Sequence, residues 1–436
     1  MTKYLNNIQL YGIHSSGRAV GSTGTGRIYA DGGMPGETVD LETDRRQRGF
    51  RYGKTLNVVE LSPQRVQPFC KHCGICGGCL WQYYSYEAQL HWKREILLNA
   101  LQKYEIITPE IPTVRPSPLL QGYRNKSEYT FAAPDKLGFH EIERRDAVCN
   151  IEACFLQPET VQQTAAVIKR AAIEQGLPFY DYFTRQGLLR SLQFRTTTTG
   201  QLLVWLVCSV DDNRIMPFLR YLQQLLPDVN SWYYSIDRGE PVYVAGEQYL
   251  TEHSANLIFR YKASSFYQPN PLQAENLCAQ VREYAALEGR ELVYDLYTGI
   301  GTLACHVAHD AREVIGIEGN ASAIEDAQHN AQANNLTNTR FLVGDILHTF
   351  KRDFVAAYGS PDVIILDPPR SGTLIEIKKT ILWAAPQKIV YVSCNPVSLA
   401  FDLKQLCEGY RVAAIQPFDM FPHTHHVETV ALLERI

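Results

Sequence analysis

No apolar run in the 436-residue chain approaches the ~18 residues that a bilayer-spanning helix requires, so a transmembrane helix is excluded. The first ten residues lack the basic start and apolar core of a secretory leader. Internal repeats and low-complexity tracts are also missing, which excludes repeat architectures. Nor is there an excess of one charge: 42 Lys and Arg face 46 Asp and Glu, a net of −4. What remains, at 45% hydrophobic and 20% charged, is a soluble globular composition. The length suits about two to four domains. The expectation is a cytoplasmic monomer with no membrane partner. Thiols stay reduced in that compartment, so 11 cysteines point to metal binding or chemistry before disulfides.

A near-neutral total argues against a nucleic-acid partner, but the total is an average. Residues 1–65 carry 9 basic and 6 acidic side chains, a net of +3, whereas residues 265–436 carry 13 and 20, a net of −7. Within the head, Arg45, Arg46, Arg48, Arg51 and Lys54 are opposed only by Asp44. Such a run is either a solvated loop or an edge that meets phosphates.

Three regions differ in rhythm. Residues 1–65 alternate short apolar runs with glycine turns, the pattern of a small β-barrel. Residues 66–264 open with a cysteine-rich loop, continue in a helical pattern over 84–104, and then mix strands with a helix over 158–176. Residues 265–436 alternate strands (292–296, 314–318, 363–367, 389–393) with helical segments. That βαβ pattern predicts a Rossmann-like, doubly wound parallel sheet.

The first of these strands runs into Tyr297-Thr298-Gly299-Ile300-Gly301-Thr302-Leu303-Ala304, a G-x-G-x-x-A that opens a helix. Glycines there let backbone approach a ligand, and Glu318 at the end of the next strand can hold ribose hydroxyls. Dinucleotides and S-adenosylmethionine fit this loop equally. Downstream, Asp345 ends a third strand, where an acid meets an adenine amino group. Asp367-Pro368-Pro369-Arg370 ends a fourth, where methyltransferases place their substrate, and a dehydrogenase needs no such element.

Cys394 lies between Ser393 and Asn395 at the exit of the strand 389–393, where a thiolate can be exposed and hydrogen-bonded. Cys208, Cys278, Cys305 and Cys407 sit in apolar runs and read as small hydrophobes. The segment Asp419-Met420-Phe421-Pro422-His423-Thr424-His425-His426-Val427-Glu428 holds three histidines, but their spacing lacks the i, i+4 pair of a helical zinc site and a strand follows.

Together these segments resemble the RNA uracil-5-methyltransferase family. Its signature D-P-P-R-x-G, a spacer, and two aliphatics-Y-x-S-C-N stands at residues 367–372 and 389–395. The usual Thr after it is Ser398 here, which keeps the hydroxyl. The second family signature is met by residues 419–428. The resemblance implies that Cys394 is the nucleophile and Glu428 the base. It implies a cofactor site for S-adenosylmethionine at Gln268, Tyr297, Gly299, Gly301, Thr302, Glu318, Asp345 and Asp367; Thr302 stands where some members have Asn.

Cys70, Cys73, Cys76 and Cys79 are each three apart, a metal-binding density that suits zinc or iron–sulfur. The family members that act on large-subunit rRNA hold a 4Fe-4S cluster with C-x5-C-x2-C and one distant cysteine. By that resemblance the ligands are Cys70, Cys76, Cys79 and Cys154, with Cys73 as rival fourth ligand, Cys149 as an extra cysteine and zinc as rival metal. The head resembles a TRAM domain, an OB-like barrel, through Gly17-Arg18-Ala19-Val20 and Met34-Pro35-Gly36-Glu37-Thr38-Val39. Residues 123–129 and 187–190 resemble strands of the family's RNA face.

The expectation is therefore a TRAM-like RNA-binding barrel over 1–65, an α+β central domain with the cluster over 66–264, and a methyltransferase domain over 265–436. It would methylate C5 of a uridine in RNA, 23S rRNA being favoured because tRNA-acting members generally lack both barrel and cluster. A cytosine-5 enzyme would need a second cysteine where Asp367-Pro368-Pro369-Arg370 stands. A non-catalytic RNA-binding or assembly factor would have no use for an intact Cys394 and Glu428.

Overall fold

The computed structural model describes residues 3–24, 26–47, 50–142 and 144–436, with the side chains of residues 44–47, 50 and 145 outside the description. Strands β1 (Lys3–Ile13), β2 (Ala19–Thr23), β3 (Gly26–Asp31), β4 (Thr38–Gln47) and β5 (Phe50–Glu60) close into a barrel in the order β1-β2-β3-β5-β4. Its centre holds Leu10, Ile28, Ala30, Val39 and Leu41, together with Trp81 and Tyr84 from beyond the barrel. Closure leaves no room at Gly33, where a Cβ would stand 2.5 Å from Leu10 Cδ1. This is the OB-like barrel expected of the head. The expected phosphate-contacting side chains of Arg45, Arg46 and Arg48 lie outside the described residues. Arg51 and Lys54 are on β5, with Lys54 exposed.

Strands β6 (Lys126–Ala132), β7 (Lys136–Glu141), β8 (Arg144–Asn150), β9 (Leu189–Thr196), β10 (Leu202–Cys208), β11 (Ser231–Ile236) and β12 (Val242–Gly246) form a second sheet, ordered β12-β11-β10-β9-β6-β7-β8. Helices Glu159–Glu174 and Ile215–Leu225 pack against it; the latter buries Ile215, Phe218, Leu219 and Leu222, one helical face. The hairpin of β13 (Leu250–Ser254) and β14 (Leu257–Tyr261) precedes the expected boundary at 264. It nevertheless buries Leu250, Phe259 and Tyr261 in the same cluster as the helix Pro271–Ala285 and the C-terminal sheet.

That third sheet consists of β15 (Leu292–Leu296), β16 (Glu313–Glu318), β17 (Thr339–Val343), β18 (Val363–Leu366), β19 (Lys388–Ser393), β20 (Tyr410–Phe418) and β21 (Glu428–Arg435), in the order β17-β16-β15-β18-β19-β21-β20. The first five are mutually parallel, and β21 is antiparallel to both neighbours. Side chains of β15 are buried on both faces: Leu292, Tyr294 and Leu296 enter one core and Val293 the other. That is why these strands read as continuous apolar runs. Each such aliphatic contributes about 1.5–3 kcal/mol when fully buried. Because β15 lies between β16 and β18, the chain changes direction at its C-terminal end, opening the crevice where α/β sheets bind ligands.

Candidate active site

The glycine loop, Glu318, Asp345 and Asp367 lie at the strand ends that open this crevice. After β15 the backbone turns left-handed at Tyr297 (φ 68°), Gly299 (φ 56°) and Gly301 (φ 79°) before the helix Thr302–Ala308 begins. At Gly301 a Cβ would also meet Ala327 and Phe341 at 3.1 Å, so glycine is required there for fit as well as torsion. Glu318 ends β16 with its carboxylate partly exposed; Oε2 accepts from the Gly299 N–H at 3.3 Å and Oε1 from Asn320 N at 2.9 Å. Asp345 follows β17, is exposed, and caps a short helix by accepting from His348 N at 3.3 Å. Tyr297 Oη lies 3.1 Å from Thr373 Oγ1, tying the loop to the segment after Asp367. Gln268 is half-buried, and its carbonyl accepts from Asn125 Nδ2 at 3.0 Å. An accessible acid beside the open, left-handed Gly299 suits a ligand with ribose hydroxyls, such as S-adenosylmethionine.

The expected nucleophile and base meet one strand further on. Ser393 of β19 pairs with Thr429 of β21, so the adjoining Cys394 and Glu428 are neighbours where β19 ends and β21 begins. Asp367, just past β18, is the third member. Burial pushes Asp367 up to about 7, helped by nearby Asp295. Burial and then Asp367 raise Glu428 to about 8, with Arg370 opposing. One oxygen of Glu428, Oε2, is buried with no partner. Such an oxygen can take a proton from a bound ligand. Cys394 departs from expectation: it is half-buried, and burial, Glu428 and Asp367 raise its thiol to about 11, with Arg370 pulling it down. The strand end that exposes Cys394 also brings two carboxylates beside it, a feature its polar neighbours Ser393 and Asn395 could not reveal.

A raised carboxyl makes Glu428 protonated and compatible with burial at low pH. Its folded-state value of about 8 lies above the ordinary 4.5, so it favours folding below 4.5 and that contribution is lost as pH rises through 8. Glu428→Gln is therefore expected to match the parent melting temperature at pH 5 and to exceed it by a few degrees at pH 9. Differential scanning fluorimetry across that range reads the difference.

The structure beneath Cys394 is buried. Asp402, on the helix Pro396–Leu406, accepts from Lys378 Nζ, from Tyr391 Oη at 2.5 Å and from Thr373 N at 2.8 Å. A Cβ on Gly372 would stand 2.5 Å from the Asp402 carboxylate, which explains the glycine in that motif. Asn395 Nδ2 and Ser398 Oγ both donate to the Arg370 carbonyl, at 3.0 and 3.2 Å. The hydroxyl kept at Ser398 is in use.

Of the three histidines in residues 419–428, His423 is the most fully engaged. His423 spends both ring nitrogens within the protein, Nδ1 at 3.2 Å from Gln89 Nε2 and Nε2 at 3.0 Å from the Leu120 carbonyl. Burial lowers His425 to about 4 and His426 to about 3, so both are neutral near pH 7. Gly17, in the β1–β2 turn, presses on this loop: a Cβ there would fall 2.6 Å from His425.

Cys70, Cys73, Cys76 and Cys79 line one cavity of about 520 Å³ with Cys154. Burial raises Cys76 and Cys79 to about 12, and Cys154 adds to both. Cys149 is buried at one side, 3.6 Å from His72 Nδ1. Among the described residues, no three His, Cys, Asp or Glu side chains converge as around a single metal ion. The donors themselves, soft thiols in a shared cavity, suit a thiolate-bound group.

Sequence reading missed several residues. Asp295, wholly buried and raised to about 7 by burial, accepts from Thr298 Oγ1 at 2.5 Å and Ala304 N at 3.2 Å, and so shapes the glycine loop. An acid two residues before the loop was the available signal. Lys378, Asp402 and Lys93 carried no local signal.

The family model described as tRNA (Uracil-5-)-methyltransferase matches residues 239–436. A Bacteroides thetaiotaomicron protein named "Uncharacterized RNA methyltransferase" is 38% identical, over 96% of this chain and 99% of its own length. One of the same name from Thermotoga maritima is 33% identical over 98% and 99%. Among solved structures, Pyrococcus abyssi tRNA (uracil-54, C5)-methyltransferase in complex with S-adenosyl-L-homocysteine superposes with a TM-score of 0.80 at 28% identity, covering 98% of this chain and all of that one.

Proposed function

Because the chain belongs to the RNA uracil-5-methyltransferase family, we propose that it methylates C5 of a uridine in 23S rRNA through a covalent bond between Cys394 and C6. The observation that carries this reading is the meeting of Cys394, Glu428 and Asp367 where β18 and β19 end and β21 begins. S-adenosylmethionine supplies the electrophilic methyl group; Glu318, Gly299, Gly301, Thr302, Tyr297, Asp345, Gln268 and Asp367 are the residues assigned to hold it.

Cys394 Sγ adds to C6, and the π electrons of C5=C6 move through C4 to its oxygen, making C5 nucleophilic. C5 forms its new bond to the methyl carbon as the sulfonium–methyl bond breaks. Glu428 Oε2 then removes the C5 proton. The C–H electrons restore C5=C6, and Cys394 leaves as thiolate. The exposed Arg370 opposes the upward push on both Cys394 and Glu428 and so favours their ionised forms. The uridine must leave its stack to reach this pocket. The barrel and the strands with half-buried Arg124, Lys126 and Arg190 are assigned to the displaced RNA.

The whole-length likeness to the Pyrococcus abyssi enzyme, whose substrate is a tRNA, favours a second reading in which this chain too acts on tRNA. The barrel is covered by that likeness, so its presence does not separate the two. Purified protein offered 23S rRNA and tRNA transcripts with S-adenosylmethionine should form 5-methyluridine only in the rRNA. Product in tRNA alone selects the second reading.

The cysteine cavity is assigned to a 4Fe-4S cluster on Cys70, Cys76, Cys79 and Cys154. Cys154 comes from a distant part of the chain and lines the same cavity as Cys70, Cys76 and Cys79, so the four thiols open onto one space. In anaerobically purified protein, Cys154→Ala is expected to lose more than half its iron and sulfide, and Cys73→Ala to keep them. Stoichiometric zinc in the parent protein contradicts the assignment.

A further inference from the structure

The helix Tyr86–Lys103 carries two polar side chains that its apolar surroundings do not explain. Lys93 is completely buried, and Gln89, one turn earlier on the same face, is 1% exposed. Burying an ammonium is costly unless it is paired and hydrogen-bonded. Lys93 Nζ donates to Asp419 Oδ1 at 2.5 Å and to the Phe421 carbonyl at 3.0 Å. Asp419 is equally buried; its Oδ2 accepts from Tyr86 Oη at 2.9 Å, and its N–H donates to the Arg115 carbonyl at 2.9 Å. Gln89 Oε1 accepts from His423 N at 2.7 Å.

Every one of these contacts falls on a single loop. Phe418, the last residue of β20, pairs across the sheet with Glu428, the first of β21. Residues 419–427 are the excursion between the two, and the helix grips it at Asp419, Phe421 and His423. Glu428 follows directly on the last residue of the loop, so the seating of the loop bears on how the Glu428 carboxylate is presented.

We propose that Lys93 and Asp419 are positioning residues for the general base: their buried pair holds loop 419–427 so that Glu428 stands over C5 once Cys394 has added. The inference rests on the assignment of Glu428 as base. It predicts a divided defect. Addition of Cys394 and methyl transfer precede proton removal, so both should survive loosening of the loop, while release of the methylated adduct should not.

The test uses the full-length chain and the double variant Lys93→Met/Asp419→Asn, which removes both charges together and leaves no buried ion unpaired. With 5-fluorouridine RNA, where proton removal is impossible, the variant should form adduct within about threefold of the parent rate. With ordinary uridine RNA its turnover should fall by about 10²-fold, within the range of a displaced general base, and a covalent protein–RNA species should accumulate. Gln89→Leu, which introduces no charge change, should show the same division more weakly. A parallel loss of adduct formation and turnover in both variants, or no loss in either, overturns the proposal. If Glu428→Gln itself accumulates no adduct on ordinary RNA, the base assignment has failed and the loop is not at issue.

Discussion

Cys394→Ala is expected to abolish uridine methylation, a loss of about 10⁴-fold or more, because no other group can carry the addition to C6. The nearest hydroxyl donor in sequence, Ser393, is committed to the Asn395 carbonyl at 3.2 Å. The variant should fold normally: the side chain is half-buried at a strand exit, and no hydrogen bond of the nucleophile's supporting network runs through its sulfur. Methylation measured with labelled S-adenosylmethionine checks the first point, and equilibrium binding of the cofactor, expected to be retained, shows that the defect is chemical.

Glu428→Gln is the second large effect, and its signature is different. The amide is nearly isosteric but cannot accept the C5 proton, so turnover should fall by about 10²–10⁴-fold. Addition and methyl transfer remain open, so ordinary RNA should become trapped on the protein. Denaturing electrophoresis of enzyme mixed with uridine RNA and S-adenosylmethionine should show a shifted band for Glu428→Gln and none for Cys394→Ala. A Glu428→Gln protein that turns over normally would mean another group takes the proton. Asp367, raised to about 7 and close enough to raise Glu428, would then be the residue to examine.

Much of this site could be read from the chain because its chemistry is local. Strand ends carry the glycine loop, Glu318, Asp367 and Cys394, and each is announced by the apolar run before it. Strands buried on both faces, such as Leu292–Leu296, make such runs conspicuous. The proposed base was legible because residues 419–428 form one continuous stretch of chain.

What stayed hidden is what folding brings together across long separations. Lys93 and Asp419 lie 326 residues apart, and a lysine in a helical pattern reads as a solvated position. The same helix serves two cores at once, Ile96 facing the barrel and Leu97 and Leu101 the catalytic sheet, so its apolar residues form no single stripe. The hairpin of residues 250–261 has no composition shift to show that it packs with the C-terminal sheet. Cys394's raised thiol was equally invisible, since it depends on two acids supplied by other strands.

The central claim is a covalent bond between Cys394 and the target uridine. It is tested most directly by incubating the parent protein with 5-fluorouridine RNA and S-adenosylmethionine, digesting the complex, and sequencing the cross-linked peptide by mass spectrometry. The account predicts a nucleotide joined at Cys394 that carries both the fluorine and the transferred methyl group. An adduct on any other residue, or methyl transfer to ordinary RNA with no adduct on the fluorinated one, would contradict it.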